Sequence, residues 1–158
     1  MLDKIVVPLD GSDLAEEVLP VVEELASKLS AEVVLLQAVI TSTEATREAM
    51  AGPGAAAELT IDLANRRVES ETDAAQRYLQ TVGERMQAKG LKVSTALTEG
   101  LAAGAILEYA TENNASLIAL ATHGRGGLSR AVTGSVADAV VRHSGIPILL
   151  VRVGAVDL

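Results

Sequence analysis

The chain contains no cysteine, no phenylalanine and no tryptophan, and its only aromatic residues are Tyr78 and Tyr109. Without cysteine there can be no disulfide and no thiolate metal centre. Two histidines, His123 and His143, lie far apart and do not make a dedicated transition-metal site. With no large rings to bury, a core must come from Val, Leu, Ile and Ala. That composition suits parallel strands covered on both faces by Ala-rich helices. Basic charge is short as well: 13 Lys and Arg against 21 Asp and Glu give a net charge of −8. General binding to nucleic acid or to an anionic membrane is disfavoured by that balance. No apolar run approaches the ~20 residues of a membrane span, and "MLDKIVVPLDGSD" does not read as a secretory leader. The default expectation is a soluble cytoplasmic protein.

What is present is enough for one domain, since 158 residues can bury a substantial core. The charge is unevenly placed. Between Thr122 and Arg152 there are four arginines (125, 130, 142 and 152) and a single acid, Asp138. A local basic island in an acidic protein fits a small anionic ligand better than a polymer.

The chain alternates between strand and helix patterns. "KIVVPLD" (4–10) is a short β-branched run closed by a turn. A helix follows on Leu14, Val18, Val22, Leu25 and Leu29, with Ser12 or Asp13 as N-cap and a kink expected at Pro20. "AEVVLLQAVI" (31–40) is the second strand. Residues 41–65, with "AGPGAAA" inside them, show weak periodicity and read as a partly helical surface excursion. A long helix over 67–89 is expected to end at Gly90. "LKVSTALTE" (91–99) alternates as an edge strand does. A helix over 102–113, a strand over 116–122, a helix carrying Val132, Val136 and Val140, and a strand over 146–153 complete the chain. No linker or repeat divides it, so 1–158 is expected to be one domain.

Five alternations predict an α/β fold, a single doubly wound, Rossmann-like parallel sheet in the order 3-2-1-4-5 with helices on both faces. Strands 1 and 4 are then neighbours. The crevice between their carboxyl ends is where ligands bind in such folds. The two most turn-rich segments, "PLDGSD" and "THGRGG", land there together.

The second of these belongs to "LATHGRGGLSRAVTGS" (120–135). Its glycines allow backbone amides to approach a phosphate, and the helix opening at Gly134 and Ser135 offers free N–H groups and a positive dipole end. Ser129, Thr133 and Ser135 add hydroxyls, and Arg125 and Arg130 add charge. The same segment is also compatible with a plain strand-to-helix turn. It is not a P-loop, which needs Gly-Lys-Ser/Thr. Nor is it a dinucleotide fingerprint, because Ser129 replaces the third glycine and the next strand ends without an acid. An ATP pyrophosphatase would carry a second glycine in "LDGSD".

Ala121-Thr122-His123-Gly124, nine residues, then Gly134-Ser135 resembles the nucleotide-binding signature of the universal stress protein family. That signature reads Gly, two residues, Gly, nine residues, Gly and then Ser or Thr. "IVVPLDGSDLAEEVLP", "VVLLQAV" and the C-terminal half are similar to the family as well. The resemblance implies an adenine-nucleotide (ATP) site of the adenine nucleotide alpha hydrolase-like type, with Mg²⁺ on the phosphates. Pro8 and Asp10 would lie beside adenosine, and Ala38 would offer its backbone to the adenine edge. Ala121, His123, Gly124, Arg125 and Gly127 would lie along ribose and phosphates, and Gly134 and Ser135 would hold the phosphate chain. Ala121 stands where the signature has its first glycine. The resemblance also implies a homodimer through strand 5 and a regulatory role in stress response. A dimeric interaction module without nucleotide is the alternative. No catalytic residue and no protein metal ligand is expected, because no partner base is visible for His123 and only Asp138 is close to the loop in sequence; at most, slow ATP hydrolysis is expected.

Overall fold

The computed structural model describes residues 1–51, 57–123 and 134–154. Strands β1 (Lys4–Pro8), β2 (Glu32–Val39), β3 (Lys92–Glu99), β4 (Leu117–His123) and β5 (Ile148–Val153) form one sheet. Its order is β3-β2-β1-β4-β5 and every pairing is parallel, as the alternating pattern predicts.

Successive residues of a strand point to opposite faces, and here both faces are buried. Ile5, Val7, Val33 and Leu35 pack on one side against helices α2 (Leu19–Leu29) and α4 (Ala57–Gln87), which supply Val22, Ala26, Leu79 and Val82. Val6, Val34, Leu36 and Ile118 pack on the other against α5 (Ala102–Glu112) and α6 (Ser135–His143), through Ile106, Ala110, Ala137 and Val140. The continuous apolar runs of β1, β2 and β4 thus reflect burial on two sides. At the amino end of the sheet Ser116 fixes β1 to β4. Its Oγ accepts from the amides of Asp3 (3.0 Å) and Lys4 (2.8 Å) and donates to the Lys4 carbonyl (2.8 Å).

Three local expectations need correction. The single kinked helix after β1 is two helices, α1 (Asp13–Glu16) and α2. Pro20 falls in the first turn of α2, where its missing N–H removes no helical bond, so the chain breaks before the proline and does not bend at it. The excursion over 41–65 is largely helical. Helix α3 (Ser42–Met50) opens with a capping box: the Thr41 hydroxyl accepts from the Glu44 amide (3.1 Å), and the Glu44 carboxylate accepts from the Thr41 amide (2.8 Å). The Thr41 amide, and then the Thr41 hydroxyl, which donates to the same carboxylate at 3.0 Å, hold the Glu44 carboxyl below its ordinary range. Helix α4 begins at Ala57, well before Arg67, and α3 packs on it with Ala45, Thr60 and Ala64 buried. Small side chains at this contact carry little hydrophobic signal, which is why the periodicity looks weak. At its other end α4 stops at Gln87 and a turn follows to Gly90, at φ +84°. Among the described residues no helix is long and apolar enough to cross a membrane.

Candidate functional site

Strands β1 and β4 pair at Ile5↔Leu117 and Val6↔Ile118 and then part. Beyond that point β1 stays with β2 as far as Pro8↔Leu36, and β4 stays with β5 as far as His123↔Val153. The sheet therefore opens at its carboxyl end between its two winding directions, which is the topological switch point. A cavity of about 250 Å³ fills the opening.

Its walls are mostly apolar: Leu36 and Leu120 from the strands, Ala102 and Ile106 from α5, and Leu14 and Ala15 from α1. Polar groups come from two segments. In one, Asp10 follows β1 on a loop that Gly11 completes at φ +82°, a left-handed conformation that favours glycine. The Ser12 amide (2.9 Å) and hydroxyl (2.5 Å) both donate to Asp10 Oδ1. The same Ser12 oxygen accepts from the Ala15 amide (3.1 Å) and caps α1. No described residue donates to Asp10 Oδ2. The other is the start of α6. Gly134 is its N-cap, no described side chain caps it, and Gly134, Ser135 and Val136 line the cavity. A helix of this length with an uncapped N-terminus offers unsatisfied amides and a positive dipole end to whatever occupies the cavity.

The sequence-predicted residues Pro8, Asp10, Ala38, Ala121, Gly134 and Ser135 all line this one cavity. Ala121 sits within β4, paired to Val151, with no positive φ, so the backbone there does not require glycine. His123 ends β4 and is exposed. Gly124, Arg125 and Gly127 lie outside the described residues, as do Ser129, Arg130 and Thr133. Asp138 is not aimed at a reaction centre: its carboxylate accepts from Arg142 Nε at 2.7 Å on an exposed helix face. His143 Nδ1 lies 2.8 Å from the Ala139 carbonyl in the last turn of α6. Among the described residues no group of acids and histidines is arranged to hold a metal ion.

Sequence reasoning missed the α1 and α5 contributions. Leu14, Ala15, Ala102 and Ile106 look like ordinary helix-core positions, and only the close approach of both helices to the open end of the sheet turns them into a cavity wall. A second, more open cavity of about 490 Å³ lies on the α4 side of Asp10, between β2 and α4. Gln37 and Tyr78 line it, and the Gln37 Oε1 is buried without a hydrogen-bond donor.

Residues 1–152 match the model of the universal stress protein family. Universal stress protein MJ0531 of Methanocaldococcus jannaschii is 32% identical over 149 residues, covering 94% of this chain and 81% of that protein. Among solved structures, that of protein MJ0577 from the same organism superposes with a TM-score of 0.78 at 24% identity, over 99% of both chains. A universal stress protein of Archaeoglobus fulgidus in complex with dAMP has a TM-score of 0.66 at 21% identity, over 95% of this chain and 98% of that one. A universal stress protein in complex with cAMP also has a TM-score of 0.66, at 19% identity over 97% and 98% of the two chains.

Proposed function

The chain belongs to the universal stress protein family, and from that premise we propose that it binds an adenine nucleotide, ATP, in the crevice between β1 and β4 and serves as a nucleotide-responsive regulator in stress response. The observation that carries the reading is the polarity of the cavity. An apolar body meets a carboxylate with one uncommitted oxygen on the loop after β1 and the start of α6, which no described side chain caps. A nucleotide has three parts that these surfaces match: a flat, largely apolar base, a ribose bearing hydroxyl donors, and an anionic phosphate chain. Asp10 Oδ2 suits the donors of adenosine, and the α6 amides with the Ser135 hydroxyl suit phosphate oxygens. The solved relatives that hold dAMP and cAMP support the adenine part of the assignment. A Mg²⁺ ion would ride on the phosphates and not on a protein ligand set.

Binding, not turnover, is the proposed activity. Phosphoryl transfer needs a positioned base and a charge clamp at the γ-phosphate, and Asp138 is already engaged by Arg142. We also propose a homodimer through β5. That strand is an edge of the sheet, and Ile148, Leu149, Leu150 and Val151 on it are only partly buried. Pairing with a second copy would cover them and satisfy the free backbone groups.

The test is whether protein purified under native conditions carries nucleotide. With no Trp and two Tyr, the chain absorbs little near the adenine band. The expected result is a 260 nm excess that perchloric acid releases as adenine nucleotide. Protein that carries none and gains no absorbance after incubation with ATP and desalting would overturn the proposal.

A further inference from the structure

One wall of the ligand cavity is a helix with little holding it from within. Helix α1 has four residues, none of them fully buried, and Leu14 and Ala15 on it line the cavity. A helix this short contributes almost no stability of its own, because nucleation costs more than one turn of bonds returns. Its position has to be set from outside.

At its amino end the setting is local: Ser12 caps it and is bonded through both its amide and its hydroxyl to Asp10. At its carboxyl end the setting comes from far along the chain. The Tyr78 hydroxyl donates to Glu16 Oε1 at 3.0 Å, and Arg85 Nη2 donates to Glu16 Oε2 at 2.6 Å. Both donors are on α4. The Glu16 carboxylate is about one-quarter exposed (27%), so its bonds are partly shielded from water. Charge-assisted bonds of this kind are the stronger ones. α4 is itself fixed to the sheet by Leu79, Val82 and Met86, all buried. Burial of the Tyr78 ring, then its bond to Glu16, raise the phenol above its ordinary range, so it stays a donor at physiological pH.

We propose that Glu16, Tyr78 and Arg85 are positioning residues for the nucleotide site: through them α4 holds the α1 wall and, by way of Ser12, the orientation of Asp10. None of the three lines the first cavity, so none needs to touch ligand there. The inference rests on the nucleotide reading for its effect on affinity, and on the geometry alone for its effect on α1.

The test compares Tyr78→Phe, which keeps the ring and removes only the hydroxyl, with Glu16→Ala, which removes both acceptors and favours helix in itself. Lys89→Met is the control. Lys89, in the turn after α4, pairs with Glu23 on α2 at 2.7 Å and bonds to no residue of α1. Amide hydrogen exchange over 13–17 and calorimetric ATP affinity are read on the full chain. Tyr78→Phe and Glu16→Ala are expected to speed α1 exchange and weaken ATP by roughly three- to tenfold each. The double variant is expected to match Glu16→Ala alone, since both act through one carboxylate. Lys89→Met should change neither readout. Unchanged α1 exchange in the single variants overturns the proposal. So does faster exchange with unaltered ATP affinity, or an equal loss in Lys89→Met. If the parent itself binds no ATP, the nucleotide reading fails separately, and α1 exchange still decides whether the clamp exists.

Discussion

Val6 and Ile118 form the last pair between β1 and β4, and two residues beyond Val6 the wall of a cavity begins at Pro8. The position of the opening follows from winding direction alone. Connections after β1 lead to β2 and β3 on one side, and those after β3 lead to β4 and β5 on the other, so no crossover covers the carboxyl end of the β1–β4 seam.

Ala121 tests how tightly a ligand is held against β4. Ala121 lines the cavity, and a glycine there removes its methyl group. Ala121→Gly is expected to tighten ATP by up to about 1–2 kcal/mol, the usual cost of overpacking a close contact. It is also expected to lower fold stability by about 0.5–1 kcal/mol, since glycine weakens a strand. Titration calorimetry and urea unfolding measure the two separately. Weaker binding in the glycine variant would mean that the methyl group is a favourable contact.

Gly83 tests how α4 sits on the sheet. A Cβ added there would meet Thr95 Cγ2 at 3.4 Å and Leu35 Cδ1 and Val93 Cγ1 at 3.8 Å, ordinary packing distances. Gly83→Ala is therefore expected to stabilise the protein by up to about 1 kcal/mol, through better helix propensity. Gly83→Leu has no such room and is expected to cost about 1–3 kcal/mol. Chemical unfolding of both variants checks the opposite signs. Two losses of similar size would show that the α4–sheet contact is already full.

The β5 edge tests the proposed dimer. Light scattering is expected to give twice the chain mass for the parent and a monomer for Leu149→Lys combined with Val151→Lys. Both residues also pack against the core, so far-UV circular dichroism must show the variant still folded. A monomeric parent, or a folded variant that remains dimeric, rules this interface out.

The sheet order was legible because four strands are short apolar runs, as "KIVVPLD" and "AEVVLLQAVI" illustrate, the edge strand 91–99 alternates, and each crossover carries a helical pattern. Pro8, Asp10, Ala38, Ala121, Gly134 and Ser135 could be placed on one cavity because the first four sit at or near the carboxyl ends of β1, β2 and β4, and the last two open the helix that follows β4. Less legible was anything set by contacts remote in sequence. The early start of α4 depends on its packing with α3, where Ala45, Thr60 and Ala64 are buried, and small residues at a helix contact leave almost no hydrophobic stripe. Pro20 was placed inside a helix because Leu14 and Val18 fit the same periodicity, although the break falls between them. The tie from Glu16 to Tyr78 and Arg85 crosses 62 and 69 residues, and no local pattern encodes it. Gly124, Arg125 and Gly127 lie outside the described residues.

The most direct measurement of the central claim is calorimetric titration of ATP into the parent and into Ser135→Glu, side by side. Ser135 opens α6 at the cavity and is exposed, so a glutamate there adds negative charge where phosphate would sit while leaving the core intact. It also favours the helix N-terminus, which keeps the fold stable. The account predicts one saturable ATP site per chain in the parent, none in Ser135→Glu, and no drop in melting temperature for the variant. A parent that takes up no adenine nucleotide, or a variant that binds ATP as the parent does, would contradict it.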